Sequence, residues 1–213
     1  WQQILATWDG TLNGSGIHIY KDGTELSYQS TINGSSAISD ASLNLYIGNR
    51  GDGARNYDGL IDDIRIYNRV LSSDEIKRLY RIGATLKVNK PSYTGLNDGL
   101  VGFWSFDGPD MAGVTAYDRS GQGNNGTLTN GPVRAVGRIG QALDFDGVND
   151  VVDAGSGASL DALTTFTTAA WIKPDTLGGG NNGIIFDKGA SPTSLKRGVI
   201  RNSVASSMGF VVQ

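Results

Sequence analysis

Asn-Gly and Asp-Gly pairs recur along this chain, at 9-10, 13-14, 22-23, 33-34, 58-59, 107-108, 125-126, 130-131, 146-147 and 182-183. Such pairs tolerate positive φ at both central positions of a tight turn, which is what a two-residue hairpin connection demands. A chain interrupted this often has little room for long helices, so the pattern points to short antiparallel strands. The length of 213 residues suits one large β domain or two small ones and can bury a sizeable core.

Apolar alternation fills the intervals between the turns. Ile4, Ala6 and Trp8 alternate with polar or small neighbours up to Asp9-Gly10, as in a half-buried strand. IHIYKDGTELSY reads as a hairpin with Ile17 and Ile19 on one face, His18 and Tyr20 on the other, and Asp22-Gly23 at its tip. In LNLYIGN, residues Leu43, Leu45 and Ile47 face one way. The stretch GLIDDIRIYNRVLSSDEIKRLY then places Ile64 and Ile66 on one face and Asp63, Arg65 and Tyr67 on the other; the same period assigns Asp62 to the apolar face. After Leu71 the period lengthens. Ser72 and Glu75 form a capping box, Leu71 and Ile76 a hydrophobic staple, and Ile76, Leu79 and Tyr80 line one side of a short helix over 72–82 that Gly83 ends.

The polar stretch 84–99, with Pro91 and weak periodicity, reads as a linker. Beyond it VGFWSFD places Trp104 and Phe106 on one face, the loop YDRSGQGNNGTLTNGP follows, and QALDFDGVNDVV, FTTAAWIKP, GIIFDKG and MGFVVQ supply further strands. Within each segment these motifs resemble, in order and spacing, the laminin G-like jelly-roll domains of the concanavalin A-like lectin/glucanase superfamily. GLVGFWSFDG through FTTAAWIKP is similar to the beginning of such a domain, and WQQILATWDG through GLIDDIRIYNRVLSSDEI to its second half and end.

The resemblance implies an all-β antiparallel jelly-roll sandwich with one short helix. It divides the chain into the C-terminal half of one repeat (1–83), a linker (84–99) and the N-terminal half of the next (100–213). Two arrangements stay open: a window cut from a tandem array, or two halves closed on each other as a circularly permuted sandwich, which spares long apolar strand edges from exposure. The same halves could also pair between chains as a domain swap. Family domains carry another strand or two between the counterparts of Val212 and Trp1, so a permuted sandwich lacking them would be incomplete. A start at Trp1 and a stop within a strand at Gln213, with neither initiator Met nor signal peptide, suggest a piece of something longer.

Composition narrows the chemistry. A formal net charge of -3 without basic run or acidic tail favours neither nucleic acid nor an anionic membrane surface as partner, and no apolar run is long enough to insert in a bilayer. The absence of cysteine removes disulfides and a thiol nucleophile without deciding the compartment. Glucanases of the resembling superfamily carry an E-x-D-x-x-E signature, whereas Glu25 and Glu75 are the only glutamates here and neither lies in such a motif. With one histidine and no G-x-S-x-G elbow, hydrolysis by other routes is unsupported, and the expectation is a protein that is not an enzyme. His18 reads as a solvated hairpin residue, and DRSGQGNNG lacks the Lys and following helix of a phosphate loop.

Relatives of this fold often hold a structural calcium. The resemblance therefore makes Asp107 and Asp118 candidate Ca²⁺ co-ligands of Asp62, a carboxylate costly on an apolar strand face unless paired or metal-bound. The alternative is that Asp62 accepts loop N–H groups and Asp118 makes an Asx-type turn. For ligand binding the candidates are Trp171, on the face opposite Phe166 and Ile172, and the polar turn Asp146, Asn149 and Asp150; the alternatives are a Trp171 packed under a second layer and an ordinary hairpin turn. Sequons at Asn13, Asn33 and Asn125 coincide with Asn-Gly turns and are read as turns. By resemblance, the chain is expected to be a carbohydrate-binding or adhesion module of a larger secreted or cell-surface protein, partnered by carbohydrate or an extracellular protein and by neighbouring repeats. The rival readings are a structural repeat without glycan affinity and an accessory domain of a glycoside hydrolase.

Overall fold

Strands of alternating character must bury one face, and here they do so by stacking two sheets. A computed structural model describes residues 1–28, 31–34, 42–84, 95–161, 163–176, 178, 182–188, 199–203 and 207–211. Residues 85–94 of the expected linker lie outside the described residues. In chain order the elements are β1 (Gln2–Trp8), β2 (Ile17–Lys21), β3 (Thr24–Glu25), β4 (Leu45–Ile47), β5 (Asp58–Tyr67), α1 (Ser73–Ala84), β6 (Leu100–Trp104), β7 (Met111–Ala112) and β8 (Thr115–Ala116). They continue with β9 (Gly126–Thr129), β10 (Val133–Val136), β11 (Gln141–Asp146), β12 (Val151–Asp153), β13 (Phe166–Pro174), β14 (Asn182–Lys188), β15 (Val199–Ser203) and β16 (Ser207–Val211).

One sheet, sheet A, runs β10-β11-β5-β13-β1-β2-β3, with β6 beside the second half of β5; the other, sheet B, runs β16-β15-β14-β4-β12-β9-β8-β7. Every pairing is antiparallel, as a jelly-roll sandwich requires. Strands from 1–83 and from 100–213 interleave in both sheets: β1 pairs with β13, β5 with β11, β13 and β6, and β4 sits between β12 and β14. Ile4, Ile47, Ile61, Ile64, Trp104, Leu143, Phe145, Val152, Ile172 and Phe186 pack between the sheets as the main core.

A second core lies on the outer face of sheet A, where α1 brings Ile76, Leu79 and Ile82 down on Leu5, Tyr67, Leu100 and Ala169. It corrects the reading of β1 as half-buried. With a sheet on one side and a helix on the other, Gln3, Leu5 and Thr7 are as buried as Ile4 and Ala6. The helix starts where the capping box places it: Ser72 N and Oγ both donate to Glu75 Oε2 at 2.9 Å, and Arg69 adds a second grip on Glu75 at 2.7 Å. Gly83 does not end it. The helix runs to Ala84, and Gly83 serves instead as the point of closest approach to sheet A, since a Cβ there would drive into the indole of Trp171.

The turn chemistry of the β2–β3 hairpin follows the sequence, with Asp22 at φ 53° and Gly23 at φ 74°. In β5 a bulge intervenes. The ladder to β13 slips between Ala169 and Trp171, and Asp63 takes φ 51°. Ile61, Ile64 and Ile66 therefore all face the core, while Asp62 pairs across the ladder with Trp171 and shares its side, under α1. Asp62 is thus buried on the face opposite the one its spacing from Ile64 implies, because one inserted residue reverses the alternation.

Candidate functional site

The bulge lies where the edge of β5 changes partner, from β11 over residues 58–61 to β6 over 64–67. Into the resulting gap project two acids. Asp62, 0% exposed, accepts Ile139 N at 2.8 Å through Oδ2, and Asp107 Oδ1 accepts Gln141 N at 2.7 Å. Both carboxyls therefore grip the turn joining β10 to β11. The second oxygen of Asp62 has no hydrogen-bond partner among the described residues. Burial, with Asp63 and Asp107 nearby, pushes the Asp62 carboxyl up to about 8 despite its backbone hydrogen bonds. Asp107 is also raised, first by burial.

Asp118 does not join them. Its oxygens accept Phe103 N, Ser120 N, Ser120 Oγ and Asn124 N at 2.7–3.0 Å, holding the loop after β8 in an Asx-type turn. Among the described residues no group of three or more His, Cys, Asp or Glu side chains is placed to hold a metal ion. Asp118 is fully engaged by donors from its own loop and from β6, away from the gap that holds Asp62 and Asp107, so the three do not form a shared Ca²⁺ site.

Trp171 is 2% exposed. Tyr80 of α1 stacks on it with ring centres 5.7 Å apart, and the Arg138 guanidinium lies 5.2 Å from its ring centre. As a platform for a ligand it is excluded in this arrangement, because the second layer covers it. Arg138 in turn donates to Ala84 O at the end of α1. The turn residues Asp146, Asn149 and Asp150 do come together, but largely for one another. Asp146 Oδ1 accepts Val148 N, Asp150 Oδ2 accepts Asp146 N, and the Asn149 carbonyl accepts Asn130 Nδ2. Asp150, 3% exposed, keeps one oxygen without a partner among the described residues, and its carboxyl is raised by burial with help from Asp146 and Asp144.

The outward face of sheet B presents a different grouping. Leu45 and Ile47 face the core, so Tyr46 between them faces out and is half-buried. The register aligns it with Asp153 of β12 on one side and Asp187 of β14 on the other, forming the row Asp153–Tyr46–Asp187. Asn44 Nδ2 donates to Asp153 Oδ2 at 3.0 Å. The adjoining loop is stapled: Arg50 grips Asp52 through two bonds of 2.7 and 2.6 Å, and Asn49 Oδ1 accepts Arg50 N. Asp187, 4% exposed, is lifted to about 6 mainly by burial, opposed by the Gly51 N–H and Arg50. Burial raises the Tyr46 phenol, and both flanking acids add to the rise.

Sequence reasoning passed over this row. Its members come from three distant strands, and the only local signal was the polar side of LNLYIGN, which any solvated strand shows.

With that geometry in place, one comparison with known proteins bears on the first part of the chain. The laminin G family model, described as concanavalin A-like lectin/glucanases superfamily, matches residues 1–77. The match supports a laminin G-like reading of that segment, and the two antiparallel sheets are consistent with a jelly-roll sandwich. At a general level the match supports a carbohydrate-binding or adhesion-type module. Comparisons with curated proteins and with solved structures found no match. Among the described residues no helix is long and apolar enough to cross a membrane.

Proposed function

We propose that this chain is a non-catalytic carbohydrate-binding module of a larger secreted or cell-surface protein, and that Tyr46 with Asp153 and Asn44, on the outward face of sheet B, is its contact surface. The observation that carries the reading is a partly exposed aromatic ring beside a partly exposed carboxyl on the face of sheet B that points away from the core, with the buried Asp187 on the ring's other side. The ring offers an apolar platform for the C–H face of a sugar, and Asp153 with Asn44 offers polar groups for its hydroxyls. The loop 49–55 is already tied down by hydrogen bonds, so little ordering is left to do on binding.

Asp153 and Asp187 stand two strands apart, roughly 10 Å between backbones by sheet spacing, twice the ~5 Å that separates the carboxyls of a retaining pair. Both glutamates are engaged elsewhere, Glu25 with His18 and Tyr28, Glu75 in the helix cap. The interleaved strands favour closure of the two half-domains within one chain, with neighbouring repeats of the parent as further partners.

A glycan array followed by calorimetric titration of a hit tests the proposal. Binding lost in Tyr46→Ala, with an unchanged melting temperature, is the expected result. A folded wild type that binds no sugar would overturn it in favour of a structural or protein-interaction repeat. Light scattering tests closure separately, with a monomer expected and a stable dimer indicating a domain swap.

A further inference from the structure

The Asn-Gly pairs that build the turns are chemically unequal once folded. An Asn followed by Gly can lose its amide when the glycine nitrogen attacks the Asn side-chain carbonyl: the new N–C bond closes a succinimide, the Cγ–Nδ2 bond breaks and ammonia leaves. Water then opens the ring to aspartate or isoaspartate. Both the freedom of the glycine nitrogen and the room to rotate the turn decide whether a folded chain permits this.

Four of the five pairs restrain the glycine. Gly14 N donates to Asn33 Oδ1 at 3.0 Å, and Gly34 N donates to Leu12 O at 2.7 Å. Gly126 is the buried start of β9, laddered to Ala116 and tight against Val152. Gly183 lies inside β14, laddered to Asn202. Asn130-Gly131, in the turn between β9 and β10, is the exception. Asn130 is exposed at φ 65°, Gly131 is exposed at φ 104°, and nothing lies within 4 Å of where a Gly131 side chain would be. The bond tying this pair to its surroundings is the donation from Asn130 Nδ2 to Asn149 O at 2.9 Å, which involves the group that departs.

We infer that Asn130 is a self-modification site, the Asn-Gly pair at which the folded protein deamidates first. The reaction has a structural consequence. It removes the donor that ties the β9–β10 turn to the Asp146–Asp150 turn and adds a carboxylate beside it, where Asp150 already holds a buried, unpartnered oxygen. Isoaspartate would also insert an extra backbone carbon into the turn.

Peptide mapping by mass spectrometry after incubation of the full chain at mildly alkaline pH tests this within one molecule. The expected result is an amide-to-acid mass gain at Asn130 that precedes those at Asn13, Asn33, Asn125 and Asn182, with isoaspartate as one of its products. Unfolding the chain in denaturant should bring the five rates together. Equal rates in the folded protein, a faster site among the other four, or no reaction at Asn130 while a short peptide of the same sequence reacts would each overturn the inference.

Discussion

The outer faces of the two sheets start from the same pleated geometry and end with opposite fates. On sheet A, α1 covers the row Gln3–Trp171–Asp62, and three polar atoms of that row, Gln3 Oε1, Trp171 Nε1 and Asp62 Oδ1, are buried without partners among the described residues. On sheet B the row Asp153–Tyr46–Asp187 carries the same kinds of group, an aromatic ring between polar neighbours, and Tyr46 remains half-exposed. An aromatic with polar neighbours thus becomes buried or stays partly exposed according to whether a helix lands on it, and the strand sequence does not say which. The covered row tolerates unsatisfied groups because apolar contacts around Ile76, Leu79 and Ile82 outweigh them; an unpartnered buried polar atom costs about 1–3 kcal/mol.

Mutation at each row should separate the two. The largest effect belongs to the covered one: Trp171→Ala removes an indole packed against Tyr80, Gly83 and Arg138 and should cost about 3–5 kcal/mol in urea denaturation. A loss under 1 kcal/mol would mean α1 is not docked there.

Asp62→Asn comes next and should stabilise. Its carboxyl has a folded value raised to about 8 from an ordinary 3.8, so the folded state holds a proton that the unfolded chain releases. That contribution is fully present below pH 3.8 and is lost as pH rises through about 8, leaving wild type the weaker by a few kcal/mol at the alkaline end. Melting temperatures of the two proteins should therefore diverge from acid to mildly alkaline pH, and parallel curves would show that Asp62 titrates normally.

Glu75→Ala has the opposite sign of pH dependence and a smaller size. The Arg69 pair holds the Glu75 carboxyl down to about 2, so its stabilisation, about 1–2 kcal/mol with the cap, is present above pH 4.5 and lost as pH falls through about 2. Thermal melts of variant and wild type should differ at neutral pH and converge in acid. At the open row, Tyr46→Ala should move stability by under about 0.5 kcal/mol while abolishing ligand binding. Smallest of all, Asp118→Asn should leave any response of the melting temperature to calcium or a chelator unchanged, since Asp118 does not share a site with Asp62 and Asp107.

What was legible from sequence was local. The Asp22-Gly23 hairpin and the Ser72–Glu75 cap are decided by residues within a few positions of each other, and both formed as their chemistry dictates. The face of Asp62 was not legible, because the bulge at Asp63 depends on where β5 exchanges β11 for β6, a matter of distant partners. Gly83 had the composition of a helix end but is needed for contact with a residue 88 positions away along the chain. The fate of Trp171 and the grouping around Tyr46 were hidden for the same reason: period two says which residues share a side and nothing of what lies over it.

The position of β1 in the sheet carries a mechanical consequence. It is an inner strand, held by seven register pairs to β13 and five to β2. Tension applied at Gln2 along the strand would meet those ladders in shear, all at once, whereas an edge strand can be peeled bond by bond. Resistance to such a pull would be set by the rate at which the two ladders break together, a kinetic property distinct from equilibrium stability.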